Sequence, residues 1–167
     1  MARPFRLDRN CYVGLHSYFV TVCTLDRHKA FLEQSLCLFA RSELLAYAKC
    51  HRFAIATYCL MPDHAHLLLS AKCEDAKLTK MLAAWKQRTG FAWSRRISRR
   101  LWQKGYWDYT LRAEEEILSF ARYIVENPVR AGLVRDPRDY PWTGSEEYSI
   151  QEILEAAQID LRGRWRG

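Results

Sequence analysis

No apolar run in these 167 residues is long enough to cross a bilayer, and Met1 is not followed by a signal-peptide pattern. A soluble cytoplasmic protein with no membrane partner is expected. None of the six cysteines (Cys11, Cys23, Cys37, Cys50, Cys59, Cys73) belongs to a Cys-x-x-Cys pair, which argues against a zinc ribbon or a disulfide frame. Most lie in apolar stretches and read as reduced, buried thiols. Internal repeats and low-complexity linkers are absent too. The length suits one domain, residues 1–167, with a core over 12–142 and a basic C-terminal extension over 143–167. Acids are missing from residues 85–103, which carry Lys86, Arg88, Arg95, Arg96, Arg99 and Arg100 within a net charge of +7. Such a run is either a solvated basic face or a surface for a polyanion, of which nucleic acid is the commonest.

Hydrophobic residues make up 49% of the chain, enough for a core. SYFVTVCT, 17–24, is aromatic and β-branched and predicts a strand. Residues 33–51 place Leu36, Phe39, Ala40, Leu44, Tyr47 and Ala48 at helical spacing. FAIATYCL, 53–60, and HAHLLLS, 64–70, are strands joined through Met61-Pro62-Asp63, a link short enough for a hairpin. Asp75 is the expected cap of a helix over 76–90, with Gly90 near its end. LWQKGYWDYTLR then reads as strand or extended loop. AEEEILSFARYIVE, 113–126, predicts a helix broken or bent at Asn127-Pro128. Ser149 and Glu152 predict a capping box on a last helix at 150–158. Strand, helix, strand, strand, helix, strand is the order of an α+β ferredoxin-like sandwich. Its antiparallel sheet carries helices on one face, and here an extra helix bears Tyr123. The other face is expected to remain free for a site.

Two of the five histidines fall in HAHLLLS. Strand alternation points His64 and His66 to one face and Ala65, Leu67 and Leu69 to the other. Two imidazoles on one rigid strand are either hydrogen-bonded polar groups or two ligands of a divalent ion. Tyr123 lies off the apolar stripe of Ile117, Ala121, Ile124 and Val125, and helical spacing sets Asn127 or Glu126 beside its phenol. It is either an amphipathic surface tyrosine or a nucleophile. The chemistry that uses these parts is attack on a phosphodiester. A phenol, with pKa near ~10, needs metal or base assistance. An ion held by His64, His66 and the Asn127 amide oxygen could polarise the phosphate.

MPDHAHLLL, WQKGYWDYTLR, YIVENPVRAGLV and YPW, in that order, resemble the REP-associated tyrosine transposases, a branch of the single-tyrosine HUH transposases. The resemblance covers residues 18–142. It implies the same ferredoxin-like sheet, Mg²⁺ or Mn²⁺ bound by His64 and His66, and Tyr123 attacking single-stranded DNA. The products implied are a 5′-phosphotyrosine and a free 3′-OH. Asn127 stands where many relatives have the longer Gln, and a bridging water would make up its reach. The implied substrate is an imperfect palindromic repeat folded as a hairpin with a single-stranded flank.

In this reading Lys86, Arg88, Arg95, Arg96, Arg99 and Arg100 serve DNA phosphates, and Trp93, Trp102 or Trp107 could stack on bases. Asp108 and Arg112 both fall at motif positions of the family, with a structural ion pair as the alternative, and RGRWRG reads as a basic arm. A monomer or homodimer associated with the nucleoid is expected. The rival readings are a DNA-binding protein on the same fold that does not cleave, and a His-x-His hydrolase without a tyrosine intermediate.

Overall fold

The computed structural model describes residues 14–111 and 115–156. Three elements lead from the first strand into the hairpin: β1 (Ser17–Cys23), α1 (Gln34–Cys50) and β2 (Phe53–Met61). The chain returns through β3 (His64–Ala71), then α2 (Leu78–Ile97) and β4 (Trp107–Leu111). Helix α3 (Glu115–Arg130), the short β5 (Thr143–Gly144) and α4 (Ile150–Glu155) complete it. The sheet is antiparallel throughout, in the order β4-β1-β3-β2-β5. Its first four strands have the ferredoxin-like order, as the element sequence predicts. Among the described residues, no helix is long and apolar enough to cross a membrane.

Helices α1 and α2 cover one face, burying Ala65, Leu67 and Leu69 of β3 with Leu44, Leu82 and Trp85. In β2 a bulge between Ile55 and Thr57 flips the alternation. Phe53 and Ile55 before it and Tyr58 and Leu60 after it therefore share that face. The opposite face is not free. Phe19, Ala56, Cys59, Met61 and Leu68 lie there beneath Phe120, Ala121, Ile124 and Val125 of α3. The reason is visible in β2, which is apolar on both sides and would expose that surface to water if α3 lay elsewhere. Among the described residues, one cleft on this face opens at the end near His64 and His66.

Two helix boundaries differ from expectation. Helix α2 starts at Leu78 behind Lys77, and Asp75 caps nothing; its carboxylate lies 3.5 Å from Arg52. The helix also runs through Gly90 to Ile97, stopping at Ser98 in the left-handed region (φ 55). Glycine costs about 1 kcal/mol in a helix. Burying a large side chain such as Trp93 returns more, about 1.5–3 kcal/mol. Arg95 and Arg96 are thus helical.

Helix α3 likewise continues past Pro128 to Arg130. It ends in two crossed bonds, Gly132 N to Val129 O and Leu133 N to Pro128 O, each 2.9 Å. Gly132, at φ +69, takes the left-handed position this motif requires. The capping box at Ser149 and Glu152 forms as predicted.

Candidate active site

His64 and His66 stand on the central strand β3, between Cys23 and Thr21 of β1 and Met61 and Cys59 of β2. Each imidazole has its Nδ1 engaged. His64 Nδ1 lies 2.5 Å from the Asp63 carboxylate, and His66 Nδ1 lies 2.9 Å from the Thr21 hydroxyl. A carboxylate only accepts, so neutral His64 carries its proton on Nδ1 and turns the bare Nε2 toward His66. The two Nε2 atoms are 3.1 Å apart. Two donors ~2.1 Å from one ion, at right angles to each other, would be ~3.0 Å apart. The pair therefore fits a divalent cation, and Asp63 is the outer partner that holds His64 in its ligating tautomer, whereas the Thr21 hydroxyl can donate to or accept from His66 Nδ1 and leaves that ring either tautomer. Burial pushes both imidazoles below the usual histidine range, and His66 well below it. Both rings are held neutral, the form that ligates.

Asp63 was legible only as a turn residue. Its second oxygen takes Arg27 at 3.2 Å, and its carbonyl accepts from the Thr24 amide and hydroxyl. The Pro62 carbonyl accepts from the Phe31 amide. The hairpin turn is thus tied to the segment after β1, and His64 inherits that rigidity.

Docking of α3 brings Tyr123 to this end of the sheet. Its ring centroid lies 6.1 Å from that of His66 and 6.0 Å from that of Phe19, both edge-on. Phe19 stacks on His66 at 5.4 Å. Arg130, seven residues on, sets its guanidinium 4.8 Å from the Tyr123 ring centroid. Glu126 grips Arg130 at 2.6 Å and Arg122 at 2.8 Å. That settles which neighbour faces the histidines: Glu126 is occupied by two arginines, whereas Asn127 lines the cleft. The Asn127 amide nitrogen donates to the Tyr123 carbonyl at 2.6 Å, so its remaining acceptor is Oδ1. His64, His66, Tyr123 and Asn127 share one cleft of about 520 Å³, together with Thr21, Arg27, Gln103 and Trp107.

The expected DNA-facing residues divide. Trp102 is no stacking platform. It is buried, donates to the Thr89 hydroxyl at 2.9 Å and packs on Phe31 and Trp85. Trp93 is buried too, whereas Trp107 lines the cleft. The Lys86 ammonium is half-buried and engaged by backbone. It donates to the carbonyls of Gln103 (2.9 Å) and Gly105 (2.5 Å), and burial pushes its pKa down to about 8. Arg88, Arg96 and Arg99 are exposed but face Glu43, Glu33 and Asp26. Arg95 leans on Phe91, and Arg100 is exposed at the end of the stretch. Arg112 and the RGRWRG arm lie outside the described residues. Residues 143–155 of the expected extension form β5 on the sheet edge and α4 against α3.

The family model described as "Transposase IS200 like" matches residues 12–127. A Haemophilus influenzae protein is 27% identical over 137 residues, spanning 75% of this chain and 77% of its own length. One from Escherichia coli K12 is 22% identical over 135 residues, spanning 81% and 79%. Both are described as REP-associated tyrosine transposases. A solved REP-associated tyrosine transposase bound to a REP hairpin superposes with a TM-score of 0.70 at 20% identity. That match covers 86% of this chain and 82% of the other. A Deinococcus radiodurans structure described as a transposase gives a TM-score of 0.51 at 22% identity, covering 74% and 97%.

Proposed function

Because this chain belongs to the IS200-like transposase family, we propose that it cleaves and rejoins single-stranded DNA at hairpin-forming repeats, with Tyr123 as the nucleophile. The observation that carries the reading is the shared cleft of Tyr123, His64, His66 and Asn127, drawn from a strand and a helix far apart in sequence. The phenol oxygen attacks the phosphorus and the bond to the 3′ oxygen breaks, which leaves a 5′-phosphotyrosine and a free 3′-OH. The ester is exchanged rather than hydrolysed, so the strand can be rejoined without a nucleotide cofactor.

Mg²⁺ or Mn²⁺, held by Nε2 of His64 and of His66 and by Oδ1 of Asn127, would polarise the scissile phosphate. Phe19 and Arg130 fix the ring of Tyr123 from two sides, which limits the orientations its hydroxyl can take. Hairpin DNA as the substrate class is supported by the structural neighbour solved with a REP hairpin. The exposed Arg95, Arg96, Arg99 and Arg100 would meet its backbone.

The test is to incubate the protein with Mn²⁺ and labelled hairpin DNA from repeats near its gene, beside Tyr123→Phe, and run a denaturing gel. Label at the mass of the protein in the unsubstituted chain alone is expected. DNA retained on a native gel with no adduct under any metal would replace this reading with that of a binding protein.

A further inference from the structure

We infer that a second cleft, between α2 and residues 100–105, seats one unpaired base of the strand that enters the active cleft. This rests on the single-stranded DNA reading above. The cleft has a volume of about 390 Å³, within the ~300–1,000 Å³ range of small-molecule sites.

Its floor is bare because residue 90 is glycine; a Cβ there would meet only Trp102 Cδ1, at 3.7 Å. Trp102 is immobilised beneath by its bond to Thr89 and its packing on Trp85. One wall is Phe91, a phenyl ring left 56% exposed beside this buried aromatic cluster. The opposite wall is the segment that Lys86 pins through the carbonyls of Gln103 and Gly105. At the rim stand Arg100 and Lys104, both exposed. Among the described residues neither forms an ion pair, unlike Arg88, Arg96 and Arg99.

An exposed aromatic ring in the wall of a cleft suits the face of a planar ring, and the two rim cations suit the phosphates on either side of it. A paired base has its faces covered by its neighbours, so the occupant is an unpaired one. Gln103 gives the strand its direction, because it lines both clefts. Its backbone N–H donates to the Cys23 carbonyl at 2.9 Å, which fixes this divider to β1 beside the histidines. A strand leaving the catalytic phosphate reaches the second cleft by passing one residue. Stacking thus passes from the buried Trp102 to Phe91, whose exposed ring otherwise meets the Arg95 guanidinium, 5.9 Å from its centroid.

The experiment measures binding of two fluorescent hairpins, one blunt and one with an eight-nucleotide single-stranded flank, to the unsubstituted protein, Phe91→Ala and Phe91→Trp. Abasic sites are then placed one at a time along the flank. Phe91 is exposed, so its substitution leaves the core intact. The flanked hairpin should bind about tenfold more weakly to Phe91→Ala, while the blunt one is unchanged and Phe91→Trp retains affinity. One abasic position should cost the unsubstituted protein the same tenfold and cost Phe91→Ala nothing. If both proteins give the same abasic profile, the pocket is overturned and the DNA reading stands. If neither hairpin binds the unsubstituted protein, both fall.

Discussion

Replacing Asp63 with Asn changes one atom and tests the whole account of the histidine pair. The carboxylate accepts from His64 Nδ1 at 2.5 Å and thereby holds the lone pair of Nε2 toward His66. An amide can accept or donate, so the ring regains its second tautomer, in which Nε2 carries a proton and cannot ligate. The Asp63 carboxylate also raises the basicity of His64 against the lowering by burial, so its loss makes the ligand weaker still. Losing such an outer partner costs about 10–100-fold in metal affinity, or about 1.4–2.7 kcal/mol.

The fold should survive. The Asp63 carbonyl keeps its bonds from Thr24, and the lost ion pair is to an Arg27 side chain 52% exposed, worth about 1 kcal/mol at most. Calorimetric titration with Mn²⁺ at pH 7.5, beside a thermal melt, reads both quantities. Mn²⁺ affinity within twofold of the unsubstituted protein, with an unchanged melt, would refute the argument that Asp63 sets the tautomer.

Two further outcomes follow from the same geometry. Both histidines are held below the ordinary value of 6.5, so below that pH the unfolded chain takes up protons that the folded one does not. Their contribution is present above pH 6.5 and is lost as the pH falls; metal-free protein should show a falling urea midpoint from pH 7 to 5, and His66→Gln should flatten it. Arg99 is paired with Asp26 while Arg100 has no acid beside it among the described residues; Arg100→Ala should lower the salt dependence of hairpin binding by about one charge, and Arg99→Ala by less. Equal slopes for the two variants would show that the Asp26 pair does not restrain Arg99.

Strand and helix periodicity carried much of the site. The two-residue period of HAHLLLS is enough to put His64 and His66 on one face, because β3 pairs with β1 in unbroken register, unlike the bulged β2. The four-residue step from Tyr123 to Asn127 is enough to put both on one side of α3. Arg130 was within reach of the same reasoning, since seven residues is two turns. The burial of Trp102 and the partial burial of Lys86 were not legible, because charge and aromaticity are properties of a residue, whereas burial is a property of its surroundings. Asp63 carried one weak signal, a carboxylate next to a histidine. Thr21 and Gln103 carried none, because the strand pairing that brings them in spans tens of residues.

Sequence alone therefore determined the order of elements, the ferredoxin-like sheet, and the two local pairs of functional groups. Each follows from backbone period and apolar spacing, which are short-range. Tertiary structure alone decided that the two pairs meet. That required α3 to bury its apolar stripe on the second face of the sheet, over Phe19, Ala56 and Leu68. The same docking set Tyr123 against His66, and the packing of Trp102 under α2 left Phe91 in the open. Those placements are sums of many weak contacts between distant segments, and no single stretch of the chain contains them.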